Sequence, residues 1–218
     1  MIRYAAIIFI LATAIACSAS KKEEQKTIPV LANRQPPANL DTAYFASGCF
    51  WCTEAVFERV AGVYDVVSGY AGGTKANPTY QEVSYGKTDY AEAVRVAYDP
   101  DKVSYDKLIE FFYASHDPTQ LNRQGPDVGQ QYRSEIYYLT ETEKKAAEQR
   151  KEQLDASGNY NKPIVTLITP FTTFYEAEDY HQNYYELHPN QSYVYSVSRP
   201  KVEKFMKEYK QYLKPEYQ

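Results

Sequence analysis

From about residue 41 onward, the apolar positions fall into short blocks whose spacing switches between that of strands and that of helices. Thr42–Ser47 is a short apolar run that reads as a buried strand. Phe50–Val60 reads as a helix, with Val56, Phe57 and Val60 apolar and Gly62 as its stop. Val63–Tyr70 is β-branched and aromatic, hence a second strand. Ala91–Tyr98 alternates well enough for a third, closed by Asp99-Pro100. Ser104–Ser115 puts Leu108, Ile109, Phe112 and Tyr113 on one helical face, with Ser104 as the N-cap. A strand over Ser134–Leu139, a highly charged helix over Glu141–Asp155 and a strand over Ile164–Thr169 follow, and two late helices fit residues 177–187 and 199–213. The stretches Ala71–Tyr90 and Asp117–Gln131 are polar and read as long loops, which in compact domains usually carry function. Strand–helix–strand, occurring twice, predicts an α+β fold: a split-βαβ, ferredoxin-like α/β sandwich with extra loops and C-terminal helices. No internal repeat and no second domain boundary interrupts residues 41–218.

The first 40 residues follow a different pattern. Arg3 precedes an apolar run, Ala5 to Ile15, broken only by Thr13, which is the layout of a secretory signal and too short for a spanning helix. It ends in Ala14-Ile15-Ala16-Cys17, which resembles a bacterial lipobox with Cys17 as the lipidated first residue of the mature chain. Ala14 stands where Leu is usual, so a simple signal-peptidase cut is the alternative. Charged residues and Pro29, Pro36 and Pro37 then read as a linker. The expected division is a signal peptide over 1–16, a lipidated cysteine and linker over 17–40, and a catalytic domain over 41–218. The expected location is the bacterial cell envelope, with the chain exported and tethered to the membrane through an N-terminal lipid.

Composition narrows the class without naming a chemistry. The 218 residues include 24 Lys plus Arg and 28 Asp plus Glu, a net charge of −4, which lacks the basic surplus of a nucleic-acid binder. With 44% hydrophobic and 24% charged residues, wholesale disorder is excluded. Tyrosine is in excess at 23. Three cysteines are too few for a disulfide-stapled scaffold, and if Cys17 is an anchor, Cys49 and Cys52 are the domain's own.

That pair lies in Gly48-Cys49-Phe50-Trp51-Cys52-Thr53-Glu54, at the first strand-to-helix turn. Gly48 permits a tight turn, and Cys49 falls at or just before the first helical position. Unpaired N–H groups and the helix dipole there favour a thiolate, lowering the pKa from the free value near ~8.5. Cys52 is one turn on, close enough for a disulfide. A zinc site would need two more ligands, and His116, His181 and His188 show no ligand spacing with the pair. Taken alone, the cysteines could also be two inert buried thiols.

They do not stand alone. The run GCFWCTEAVF, Gly48 to Phe57, resembles the active-site segment of A-type peptide methionine sulfoxide reductases. The resemblance continues in order through Gly69-Tyr70-Ala71-Gly72-Gly73, Asn77-Pro78-Thr79-Tyr80-Gln81-Glu82-Val83 and Ala91-Glu92-Ala93-Val94. It is completed by His116-Asp117-Pro118-Thr119-Gln120, Asp127 to Ser134 and Ala177 to Gln182, spanning about residues 42 to 190. It implies reduction of methionine S-sulfoxide, free or in oxidised proteins, to methionine by a monomeric enzyme. Cys49 would be the nucleophile that ends as a sulfenic acid, and Glu92 the acid that protonates the sulfoxide oxygen. Tyr80 and Tyr132 would hydrogen-bond that oxygen, Phe50 and Trp51 would seat the methyl group, and Asp127 would hold the substrate's backbone amide and help seat Cys49. No cofactor or metal is implied, only an external thiol reductant of thioredoxin type.

Two departures from the family pattern matter. Tyr90 stands where a histidine usually precedes the Ala-Glu-Ala strand. Cys52 replaces the usual glycine, and no cysteine follows it in the sequence, so Cys52 is the candidate to resolve the sulfenic acid as a disulfide. The competing route is direct attack by an external thiol. A general thiol–disulfide oxidoreductase would account for the cysteine pair and for export, but not for Glu92, Tyr80 and Tyr132. A non-catalytic binding lipoprotein would account for neither the reactive thiol nor those motifs.

Overall fold

A computed structural model of the chain describes residues 39–218. The expected signal peptide and Cys17 lie outside the described residues. The elements run β1 (Asp41–Ser47), α1 (Phe50–Glu58), β2 (Val63–Ala71), α2 (Tyr80–Ser84), β3 (Ala91–Tyr98), α3 (Tyr105–Ala114), β4 (Arg123–Gln124) and β5 (Asp127–Val128). They continue with β6 (Ser134–Tyr138), α4 (Glu141–Ala156), β7 (Leu167–Pro170), β8 (Phe174–Glu176), α5 (Tyr184–Leu187) and α6 (Arg199–Glu208). The fold is α+β, and its sheet is mixed, with six strands in the order β7-β6-β1-β3-β2-β8. Every neighbour is antiparallel except β6 and β7.

Side-chain alternation divides the sheet into two faces. On one face Phe45, Tyr70, Val94, Val96 and Ile136 join the main core beneath the helices, with Phe57, Phe112 and Phe205. Phe45 is completely buried, with ring centroids 5.2 Å from Phe57 and 5.3 Å from Phe112. Truncating a ring so placed costs about 3–5 kcal/mol. On the other face Ala46, Ala71, Ala91, Ala93 and Tyr137 form a thinner layer under Phe171 and Phe174. Glu92 lies between Ala91 and Ala93, so the same alternation turns it toward the helices, beside its register partner Tyr70.

Several expected boundaries are corrected. The long loop after β2 contains α2, started by a capping box in which Glu82 N–H donates to Thr79 and the Glu82 carboxyl accepts from Thr79 N–H at 3.1 Å. The expected loop 117–131 contains the β4–β5 hairpin and a 3-10 turn at Gln130–Tyr132. No continuous helix spans 177–187. Residues there form a 3-10 turn at Asp179–His181 and the short α5, separated by Asn183 at φ 54°. The last expected helix, 199–213, ends at Glu208 before a separate 3-10 turn, and a π-helical turn at Val194–Ser198 precedes it. The expected strand at 164–169 forms later, as β7.

Glu54 ties α1 to the segment before α5. Its Oε1 accepts from Asn183 N–H at 3.0 Å, and its buried Oε2 has no hydrogen-bond partner among the described residues. Burial, reinforced by the nearby Glu58 carboxyl, pushes its pKa up to about 9. A neutral carboxyl in the fold and an ionised one in the unfolded chain mean that the native state binds the extra proton. Stability is therefore full below the ordinary carboxylate pKa and is lost as pH rises toward about 9. Glu54→Gln keeps the shape and the Asn183 bond without the titration. Thermal unfolding across pH should show a flatter profile for this variant and a higher Tm than wild type near pH ~8.

Candidate active site

The turn between β1 and α1 is built for close approach. Gly48 has φ 93°, and a Cβ there would lie 2.6 Å from the Gln124 Cβ, so only glycine fits against the β4–β5 hairpin. Cys49 is the helix N-cap, with φ −59° and ψ 123° and no capping hydrogen bond from its side chain. Its carbonyl accepts from Cys52 N–H at 3.1 Å and from the Thr53 hydroxyl at 3.3 Å. Thr53 is in turn 2.7 Å from the Ser47 hydroxyl.

Glu92 fills the N-terminal position that Cys49 leaves open. Its Oε2 accepts from Phe50 N–H at 3.1 Å, and the side chain is 2% exposed. Burial pushes its pKa up to about 8, against the opposing pull of the Phe50 N–H, with the Asp127 carboxylate and Cys52 adding to the rise. Glu92 is thus a neutral acid near pH 7, able to donate a proton. Burial raises the phenols of Tyr80, at the start of α2, and Tyr132, in the 3-10 turn before β6, and both lie close enough to Glu92 and Cys49 for ionisation of either to raise them further. The structure thus brings Tyr80, Tyr132, Glu92 and Cys49 together from four separate segments.

Phe50 and Trp51 form an aromatic wall with residues that lack prominence in the sequence. Phe50 lies 5.1 Å from the His181 ring and 6.3 Å from Tyr80. Trp51 stacks on Tyr184 at 3.8 Å and 9° and meets Tyr193 edge-on at 5.9 Å. Trp51 Nε1–H donates to His181 Nδ1 at 3.2 Å, and burial holds the His181 pKa down at about 4. The imidazole is therefore neutral with its proton on Nε2, which has no hydrogen-bond partner among the described residues. His181 lay inside a recognised motif but had no assigned role, and Tyr193 had no signal among 23 tyrosines.

Asp127 opens β5 and accepts a hydrogen bond from the Tyr193 hydroxyl. Tyr193 also lies near enough to Cys49 to influence its titration. Tyr90, which replaces the family's histidine, packs its ring against Gly73, and its hydroxyl donates to the Lys75 carbonyl at 2.7 Å. It holds the loop before α2.

The two thiols are free and buried, and each shifts the titration of the other. Here the expectation of a depressed Cys49 pKa is corrected. Burial and the neighbouring Cys52 push Cys49 up. Cys52 is pulled down to about 7 by its hydrogen bond with Cys49, by Lys201 and by Ser198, against the cost of burial. Among the described residues, no group of three or more His, Cys, Asp or Glu side chains could hold a metal ion.

A family model for peptide methionine sulfoxide reductase matches residues 41–213. The chain is 53% identical to peptide methionine sulfoxide reductase MsrA of Deinococcus radiodurans over 175 residues, 80% of this chain and 85% of that protein. It is 52% identical to MsrA of Picrophilus torridus over 164 residues, 75% of this chain and 92% of that one. Methionine sulfoxide reductase A of Corynebacterium diphtheriae is a similar solved structure, with a TM-score of 0.65 and 36% identity over 75% of this chain and 82% of that one. Reduced Mxr1 from Saccharomyces cerevisiae has a TM-score of 0.64 at 36% identity, covering 72% of this chain and 91% of that one.

The neutral state of Glu92 is directly measurable. Infrared spectra at pH ~7 should show buried carboxylic acid carbonyl bands from Glu54 and Glu92. The Glu92 band should be lost with a midpoint of about 8 and be missing in Glu92→Gln, while Glu54→Gln removes only the other. A Glu92 that is fully ionised at pH ~6 would contradict its assignment as an acid.

Proposed function

The chain belongs to the peptide methionine sulfoxide reductase family and reduces methionine S-sulfoxide to methionine, and from that premise we propose how its side chains divide the reaction. The observation that carries the assignment is the buried, neutral Glu92, hydrogen-bonded to the N-terminus of the helix that Cys49 caps. The sulfoxide methyl group sits against Phe50 and Trp51, and its oxygen faces Glu92 and the Tyr80 and Tyr132 hydroxyls. Cys49 Sγ attacks the sulfoxide sulfur while Glu92 gives a proton to the oxygen. Tyr80 and Tyr132 donate hydrogen bonds to that oxygen as charge develops on it. Asp127, bonded to Tyr193 beside Cys49, keeps the nucleophile in line and offers its carboxylate to the substrate's backbone amide.

The bond between Cys49 Sγ and the substrate sulfur and the substrate S–O bond then break as the hydroxyl passes to Cys49 Sγ, so methionine leaves and Cys49 remains as a sulfenic acid. Cys52, one helical turn away, attacks Cys49 Sγ, so a disulfide forms and water departs. A thioredoxin-like protein reopens the disulfide by thiol exchange. Support for Cys52 as the resolving thiol is its reach to Cys49 and the absence of any later cysteine in the sequence. The enzyme acts as a monomer on free or protein-bound substrate. Its four central strands, β6-β1-β3-β2 with α1 and α3 between their members, read as a split-βαβ frame. We also propose export to the bacterial cell envelope and a lipid anchor at Cys17, supported by Arg3, the apolar run and the small residues before Cys17.

Cys49→Ser should form no methionine. Cys52→Ser should form about one methionine per enzyme yet fail to turn over with a thioredoxin system, and wild-type turnover with thioredoxin would exclude the resolving role. Glu92→Gln should lose about 10²–10⁴-fold in kcat. Wild-type turnover should decline above pH about 8, as Glu92 ionises. Mass spectrometry of the mature N-terminus should find a lipid-modified Cys17, and an unmodified N-terminus elsewhere would exclude the anchor.

A further inference from the structure

His181 is 2% exposed, and the reaction above gives it no task. Its ring centroid lies 4.2 Å from Tyr80, 5.1 Å from Phe50 and 5.7 Å from Trp51. One imidazole therefore packs against a ring assigned to the sulfoxide oxygen and against both rings assigned to the methyl group. The turn that carries it is pinned on either side. Before it, Glu178 accepts from Tyr80 N–H at 3.0 Å and from the Tyr70 hydroxyl at 2.8 Å. After it, the Gln182 amide accepts from Ser68 N–H at 2.9 Å and donates to the Ser68 carbonyl at 3.0 Å. His181 is thus a fixed point against which softer neighbours can be set.

Its polar contact is directional. An indole N–H can only donate, so the 3.2 Å bond from Trp51 Nε1 makes His181 Nδ1 the acceptor and leaves the ring's proton on Nε2. That Nε2 is buried and has no hydrogen-bond partner among the described residues. A phenyl ring would fill the same space without burying an unpaired donor. What a phenyl ring could not supply is the acceptor for Trp51.

Trp51 needs that acceptor because its other contacts leave it a degree of freedom. Stacking on Tyr184, at 3.8 Å and 9°, fixes the plane of the indole but allows it to slide and turn within that plane. A hydrogen bond weakens steeply as its angle departs from linear, so the bond to Nδ1 removes this freedom. We propose that His181 is the positioning residue of the methyl seat: its Nδ1 lone pair sets the in-plane position of Trp51, and with it the size of the S-alkyl group that the site accepts. The proposal rests on the assignment of Phe50 and Trp51 to the substrate methyl and extends it to a residue that acts through Trp51.

Trp51 is the only tryptophan in the chain, so its indole can be observed alone. Two variants separate the acceptor from the ring. His181→Phe keeps a ring and loses the acceptor, whereas His181→Asn loses the ring and offers a side-chain oxygen near the Nδ1 position. Ultraviolet resonance Raman spectra should show a hydrogen-bonded indole N–H in wild type and His181→Asn, and a free one in His181→Phe. Turnover is then compared on methionine S-sulfoxide and on the analogue whose sulfur carries ethyl in place of methyl, with wild type favouring the methyl substrate. His181→Phe should raise KM for the methyl substrate and leave kcat within about twofold. It should also lose about 10-fold of the discrimination between the two substrates, the scale set by one methylene in a pocket. His181→Asn should retain most of both. In a Trp51→Phe background, the further change His181→Phe should leave the discrimination where it is, because the two residues act as one unit. Should His181→Phe fail to fold by thermal unfolding, His181→Leu, which also lacks an acceptor, takes its place. A free indole N–H with wild-type KM and discrimination would overturn the proposal and leave the reductase reading intact. So would lost discrimination in His181→Asn with the indole bond retained, or a wild type indifferent to methyl and ethyl. A wild type that formed no methionine from either substrate would remove the reading itself, and the proposal with it.

Discussion

One hydrogen bond, from Phe50 N–H to the buried Glu92 carboxyl, joins the strand that carries the acid to the helix that carries the thiols. A helix N-terminus leaves several N–H groups without helical partners, and a cap side chain normally takes one of them. Cys49 occupies the cap and contributes no such bond, so the acceptor comes from 42 residues away. The consequence is double. Cys49 Sγ stays available, and Glu92 is held where burial keeps it protonated. A conventional capping residue at position 49 would bond N–H groups further into the helix and would remove the sulfur.

That bond depends on alternation in β3. The sequence Ala-Glu-Ala sets two small residues against the thin face of the sheet and turns Glu92 toward the helices, where Val94 and Val96 continue the core. A shift of register by one residue would send Glu92 to the other face and leave the helix end without its acceptor. Pairings with β1 on one side and β2 on the other hold the register. The stability of the sheet and the position of the acid are therefore one constraint.

Strands β1, β2, β3 and β6 and helices α1, α3 and α4 were legible because their periods are unbroken, whereas the short β4, β5 and β8 were not. Cys49, Glu92, Tyr80, Tyr132 and the Phe50–Trp51 pair were legible through their motifs. What stayed hidden came from long-range packing. Glu178 accepts from Tyr80 N–H at 3.0 Å and from the Tyr70 hydroxyl at 2.8 Å, which helps organise a segment that local pattern alone reads as helix. Tyr193 acquires its role only because the chain returns it to Asp127. The T-x-x-E capping signal at Thr79 was present in the sequence but lay within a stretch dominated by loop residues.

The placement of charge is the subtler lesson. An isolated helix start favours an anion at Cys49. In the folded chain a carboxyl already accepts one of those N–H groups, and burial penalises an anion on Cys49. Local reasoning identifies the reactive pair, and only the tertiary arrangement shows that burial opposes the helix start at Cys49. The same surroundings offer a physical reason why the residue after Trp51 should be a thiol in this chain. A glycine there could not close a disulfide with Cys49, so resolution would need a thiol from outside the helix.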